Sequence, residues 1–372
     1  MQPLSGIRVL DLTTLVPGPL ATLALAEAGA DVLKVERPGG DEARQYEPKS
    51  GADSGVFIQL NRGKLSVVLD LKTADGLARF KDFASSADVL VEQFRPGVMD
   101  RLGLGYDTLR QINPRLIYCA ISGYGQTGPS RNIAAHDLNY VGETGMLSLV
   151  QDTGGVPVLP TALIADIGGG SYPAIINILL ALLLREKTGQ GSYLDIAMAE
   201  NVFPFLYSAL AQQQITGGGP RPSAEMTTGG TPRYRIYQTA DDRFLTVAPV
   251  EDRFWVNFCQ AINLPEKLRP DDADPATVFA EVAATLRQKT AAQWSDVFSK
   301  LDVCVSVAAT IEEAMASDQF MARGIFGRST TTDEGRLLAL PVPIVDRFRA
   351  AAKEASYPRL VAQAGRDWPV FP

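Results

Sequence analysis

The 372-residue chain contains one histidine, His136, and this scarcity excludes every metal site built on two imidazoles, including the HExxH type. Any imidazole chemistry runs through that single side chain. Cysteine is nearly as rare. Cys119, Cys259 and Cys304 are odd in number, far apart and form no CxxC pair, so neither a zinc ribbon nor a disulfide framework is supported. Three buried free thiols are expected. An excess of basic charge is also missing: 35 Lys and Arg stand against 42 Asp and Glu, a balance of −7, which speaks against the basic surface that nucleic-acid binding requires. Long hydrophobic runs are limited to one. Ile167 to Leu184 is 18 residues without a charge, the lower limit for a membrane span. It opens Ile167-Gly168-Gly169-Gly170-Ser171-Tyr172-Pro173, so the strongly apolar part, Ala174 to Leu184, is expected as a helix buried in a large core. No basic run precedes the first apolar segment, and Asp11 interrupts it; the reading is a soluble, cytoplasmic chain with no membrane association.

What is present supports a large folded core. Apolar residues make up 46% and charged ones 21%, and at roughly 150 residues per domain the length implies two or three domains. The first third alternates short β-rich runs with amphipathic stretches. Ile7–Leu12, Asp31–Val35, Leu65–Asp70, Asp88–Val91 and Leu116–Ile121 read as strands, with helices over Pro17–Ala28 and Thr73–Ala84 between them. Strands separated by helices imply βαβ units, an α/β class and a mostly parallel sheet. A helix over Ser171–Arg185, a possible strand at Ser192–Ile196 and a helix near Glu200–Gln213 follow. Thr216-Gly217-Gly218-Gly219-Pro220-Arg221-Pro222 is then a hinge. Beyond it, Arg235–Thr239 and Phe244–Val247 flank Asp241-Asp242 as a hairpin. With helices near Arg253–Ala261, Ala276–Gln288 and Ala292–Leu301, this is a smaller α+β unit.

Gly123-Tyr124-Gly125-Gln126-Thr127-Gly128 matches GxGxxG and follows a predicted strand. A dinucleotide fingerprint opens a helix on its last glycine, whereas Pro129-Ser130-Arg131-Asn132 reads as continued loop. The nicotinamide reading is set aside. With Ser122 before it and Pro129 after it, the same stretch resembles the hallmark loop of the family III CoA-transferases, the CaiB/BaiF group that includes the α-methylacyl-CoA racemases. Pro3–Leu12, Gly29–Pro38 and Glu92-Gln93-Phe94-Arg95-Pro96-Gly97 resemble further family motifs and occur in family order.

The resemblance implies a Rossmann-like large domain with a parallel sheet, a smaller α+β domain and an interlocked homodimer. The implied boundaries are 1–214 for the large CoA-binding domain, 215–310 for the small one and 311–372 for a segment returning to the large domain. It implies an acyl-CoA substrate, with coenzyme A as part of the substrate and no prosthetic group. Arg37, Arg62, Lys72, Arg95 and Arg101 match or lie near positions that hold the nucleotide end, where forked guanidinium groups suit a phosphate and a diphosphate. Transferases of the family use an aspartate at the position of Asp166 as nucleophile, forming an acyl anhydride. The racemases carry a histidine at the position of His136 and pair it with a glutamate, here Glu251. The spacings 166 − 136 = 30 and 251 − 166 = 85 resemble the racemase pattern.

Inverting a carbon next to a thioester needs two acid/base groups on opposite faces, one removing the α-proton and one delivering a proton. By the resemblance, His136 and Asp166 are expected to fill those roles, with Glu251 orienting the imidazole. Backbone amides near His136–Asp137 or Gly168–Gly170 are candidates for the enolate oxygen. Two other readings stay open: CoA transfer through an Asp166 anhydride, and a non-catalytic CoA-thioester binding protein. Each residue also has a plain structural role available: a hydrogen-bonded loop histidine, an Asp capping a turn, and a Glu opening the helix at Asp252.

Overall fold

Apolar runs rich in Val, Ile and Leu build one six-stranded parallel sheet: β1 (Arg8–Asp11), β2 (Asp31–Glu36), β3 (Leu65–Val68), β4 (Val89–Glu92), β5 (Ile117–Ser122) and β6 (Tyr193–Ala197). The computed structural model describes residues 2–360 and Trp368; the rest of the expected segment 311–372 lies outside the described residues. The spatial order is β3-β2-β1-β4-β5-β6, with Val9 in register with both Val32 and Val89. Strand order reverses between β1 and β4, and in open α/β sheets ligands bind beyond the carboxyl ends of the strands at such a switch point. The continuous burial of β2, β4 and β5 reflects cover on both faces. On one face α2 (Ala74–Ser86), capped by Thr73 accepting from the Gly76 amide, lays Phe80 and Phe83 against Leu10, Leu33, Val67 and Leu90.

Beside these apolar layers lies a chain of buried ion pairs. Lys64 Nζ reaches Asp11 Oδ2 at 3.0 Å, Lys34 Nζ reaches Asp41 at 2.9 Å, and Arg44 joins Glu36 at 2.6 Å and Asp53 at 2.9 Å. Lys64 also donates to Pro19 O, Thr22 Oγ1 and Asn61 Oδ1, and Lys34 to Thr13 O. Burial alone would raise the Asp11 carboxyl, but Lys64, Lys34 and the Thr13 and Thr22 hydroxyls hold it well below the usual carboxylate range. These groups lock β1, β2 and β3 to the start of α1 (Pro17–Glu27), which is almost wholly buried.

The chain divides into two compact units, the first being Met1–Thr144, Pro160–Phe205 and Asp318–Pro372, the second Gly145–Leu159 and Leu206–Ser317. In the first, α3 (Asp137–Glu143) follows the loop after β5, and α4 (Tyr172–Thr188) precedes β6. In the second, β7 (Arg235–Gln238), β8 (Phe244–Val247) and β9 (Val305–Val307) form an antiparallel sheet. It packs with α5 (Asp252–Ala261), α6 (Pro275–Leu286) and α7 (Ala291–Phe298) around stacked Trp255, Phe258, Phe298 and Trp294.

Two expectations fail. The run Ile164–Thr188 is long and apolar enough to cross a membrane by length and composition alone, and α4 is not wholly buried. Ala174, Ile178 and Ala181 face the core, while Ile176, Leu180 and Leu183 are each more than half exposed. Cys304 is exposed in a left-handed backbone conformation, whereas Cys119 and Cys259 are buried.

The ion-pair chain yields a test. Lys64→Met strands a buried carboxylate and is expected to cost about 3–5 kcal/mol in urea unfolding, whereas Lys64→Met combined with Asp11→Leu recovers most of that loss.

Candidate active site

Beyond the carboxyl ends of β1, β4 and β5 lies a cavity of about 500 Å³ whose walls include Leu15, Arg95, Ser122, Tyr124, His136 and Asp166. The loop through Gly123–Gly128 runs on to residue 136 without opening a helix at its last glycine, so no helix N-terminus stands where a pyrophosphate would need it. Gly123 serves packing instead: a Cβ there would lie 2.5 Å from the Tyr140 hydroxyl. That hydroxyl donates to Ala135 O at 2.9 Å, tying α3 to the residue before His136. The His136 amide donates to Asn139 Oδ1 at 3.0 Å, which fixes the backbone of the N-cap and leaves the imidazole in the cavity wall. Tyr124 packs edge-on against Tyr140 at 5.3 Å and donates to Glu143.

Asp166 sits in a π-helical turn, Ile164–Ser171. Such turns are rare inside helices and often mark functional sites. The three glycines make this one possible. A Cβ on Gly169 would stand 2.3 Å from the Met198 carbonyl oxygen, and one on Gly168 would strike Phe205. Asn201 Nδ2 donates to Gly169 O, and Ser171 Oγ donates to Pro17 O, fastening the turn to the end of β6 and the start of α1. The Asp166 amide donates to Asp137 Oδ1 at 2.9 Å. Burial first, and then the neighbouring Asp137 carboxylate, push the Asp166 carboxyl up to about 6, while His136 draws it partly back.

The basic residues separate into two groups. Arg37 follows β2, Lys72 follows β3, and Arg95 and Arg101 follow β4, so all four lie beyond carboxyl ends of strands and are exposed. Arg62 does not belong with them. It precedes β3, at the amino end of the sheet, and is buried. Its guanidinium is spent on Glu27 at 2.8 Å and on the carbonyls of Gln59 and Leu340, leaving no fork for a phosphate. Glu251 belongs to the second unit, where it is exposed and precedes α5 as its N-cap. Among the described residues no cluster of three His, Cys, Asp or Glu could hold a metal.

One wall residue escaped the sequence reading. Leu15 holds φ 61°, a left-handed conformation costly for a branched side chain, and leucine gives no hint of it. Ser122, at the end of β5, keeps a buried hydroxyl without a partner at the cavity.

A family model described as CoA-transferase family III matches residues 4–363. The chain belongs to the family III CoA-transferases. It is 36% identical to the alpha-methylacyl-CoA racemase of Homo sapiens, over 92% of this chain and 86% of that one. It is 35% identical to the acetyl-CoA:oxalate CoA-transferase of Acetobacter aceti, over 88% and 86%. A CAIB/BAIF family protein from Brucella suis has the same fold, with a TM-score of 0.83, 27% identity and 96% of each chain covered. The chain is thus an enzyme of a family that includes racemases and transferases.

Asp137→Asn keeps the acceptor for the Asp166 amide and removes the adjacent negative charge. The Asp166 carboxyl should then titrate lower than its value of about 6, as read by carbon NMR of labelled aspartate.

Proposed function

We propose that this enzyme is an acyl-CoA racemase of the α-methylacyl type, working by 1,1-proton transfer at the carbon next to the thioester. The observation that carries this reading is that the chain's one imidazole and Asp166 line the same cavity at the switch point. The upward displacement of Asp166 to about 6 brings this carboxyl close to working pH, where it can both take a proton and return one, as a racemase requires when it runs in both directions. In one direction the Asp166 carboxylate takes the α-proton while the imidazolium of His136 delivers one to the opposite face. In the other direction the roles reverse. The enolate between the two steps needs a donor at the thioester oxygen, and the Asp137 amide, which has no intrahelical acceptor at the start of α3, is of the right kind.

The nucleotide end of coenzyme A, carried as part of the substrate with no separate prosthetic group, is assigned to Arg37, Lys72, Arg95 and Arg101. A homodimer is part of the same reading. The exposed Ile176, Leu180 and Leu183 of α4 form an apolar stripe of the kind a subunit interface covers, and Glu251 of the partner subunit would orient His136. An α4 variant with Leu180→Glu and Leu183→Glu should sediment as a monomer and lose activity.

The second reading is CoA transfer, favoured by the identity to the Acetobacter aceti enzyme and by the same carboxylate. Here Asp166 attacks a donor thioester, forming a mixed anhydride and releasing the CoA thiolate. Proton NMR of a 2-methylacyl-CoA in D2O separates the two. Racemisation predicts exchange of the α-proton that His136→Ala and Asp166→Ala each reduce at least about 10²-fold. Absence of exchange with several branched acyl-CoAs refutes it, and a new acyl-CoA formed from an added free acid establishes transfer. For the direction begun by the Asp166 carboxylate, kcat/KM should fall as the pH drops through about 6, because protonation removes the base.

A further inference from the structure

A second, smaller cavity, of about 240 Å³, lies between the carboxyl end of β4 and the amino-terminal residues of β5 and β6, and includes Glu92, Asp100, Tyr106, Tyr118, Gln126 and Tyr193 in its wall. Glu92, the last residue of β4, is only 4% exposed. The other four buried carboxylates in the first 120 residues, Asp11, Glu36, Asp41 and Asp53, each have a lysine or arginine within 3.0 Å. Glu92 has none. Its Oε2 accepts the Phe94 amide at 2.7 Å, and its Oε1 makes no hydrogen bond or ion pair with any described residue. In the same wall the Gln126 side-chain nitrogen is buried without a partner. Buried polar groups are normally paired, so a buried amide nitrogen without a partner beside a carboxylate oxygen that has none in the same cavity asks for a ligand.

The surroundings specify its chemistry. Asp100 and Asp195 act on Glu92 from the helix after β4 and from β6; Tyr118 and Cys119 on β5 and Tyr193 on β6 are neutral. Asp107 is paired with Arg110, and the exposed Arg95 lines both this cavity and the one holding His136. Burial, then the two aspartates, push the Glu92 carboxyl up to about 8, with no cation acting against them. Tyr106, Tyr118 and Tyr193 pack with ring centroids 5.3–6.0 Å apart, forming a continuous aromatic wall. A carboxylate beside aromatic faces suits an organic ammonium ion. The described residues offer no three-ligand set for a metal.

We propose that this side cavity binds a small hydroxylated ammonium ion, of the amino-alcohol class. Its nitrogen lies against Glu92 and the tyrosine faces, and its oxygen accepts from the Gln126 amide. Binding converts Glu92 to the carboxylate and releases its proton to solvent. The site is independent of the choice between racemase and transferase.

Choline is the probe, titrated calorimetrically into the full chain at about pH 8.5 and about pH 6.5. A carboxyl titrating at about 8 is about three-quarters ionised at the higher pH and about 3% at the lower, so affinity should fall about 25-fold on acidification. Heats in two buffers of different ionisation enthalpy should report proton release at the lower pH. Glu92→Gln should weaken binding at least tenfold while leaving acyl-CoA turnover intact, which also shows that the variant is folded. Tyr193→Leu removes one aromatic face and provides a second, independent variant with the same expected loss. No saturable binding up to about 50 mM overturns the proposal. So does binding that both variants leave within twofold, or equal competition by potassium.

Discussion

The chain of buried charges from Asp11 through Lys64, and from Lys34 through Asp41, holds the architecture of the first unit together at its working end. A parallel sheet brings strand ends together but does not specify the path of the loops that leave them. Here the loops are held by ammonium groups that reach carbonyls as well as carboxylates. Lys34 on β2 binds Thr13 O and Lys64, just before β3, binds Pro19 O, so the turn after β1 and the first turn of α1 are each held by an ammonium group. Between those two contacts Leu15 adopts its left-handed conformation, and Pro17 receives the Ser171 hydroxyl that secures the Asp166 turn. The candidate site is therefore fastened to the core through polar contacts. Breaking a buried pair of this kind leaves an uncompensated charge, which is why such networks resist partial change.

The site itself is economical. Asp137 supports Asp166 in two opposed ways: its oxygen fixes the backbone by accepting an amide, and its charge raises the carboxyl's proton affinity. His136 and Asp137 are consecutive, so one helix start supplies the imidazole and the group that tunes its counterpart. Glycine plays a different part at each end of the cavity. At Gly123 it admits a tyrosine ring that anchors the residue before His136; at Gly168 and Gly169 it lets a helix turn press against a neighbouring side chain and backbone carbonyl.

The sheet was legible because strand signals are local: short β-branched runs between helical stretches put five of the six strands in place, and Ser192–Ile196 suggested the sixth. The continued loop after Gly128 was legible for the same reason, since Pro129-Ser130-Arg131-Asn132 is a local run without helical periodicity. The pairing of His136 with Asp166 came from resemblance, because no periodicity connects residues 30 positions apart. Arg62 could not be placed by charge alone. A guanidinium looks the same at either end of a strand, and only the fold shows that Glu27 and two carbonyls occupy it. The exposed face of α4 was hidden for a related reason. A helix apolar all round gives no periodic signal of which side meets the core.

The π-turn at Ile164–Ser171 has one further consequence. A turn of that width holds one residue more than an α-turn, so it acts as a one-residue insertion absorbed within a continuous helical run. The helix beyond it can keep its register on the sheet while the carboxylate within it is aimed independently. Chemistry and packing thus occupy separate coordinates of the same segment, and the glycines at 168–170 are the joint between them.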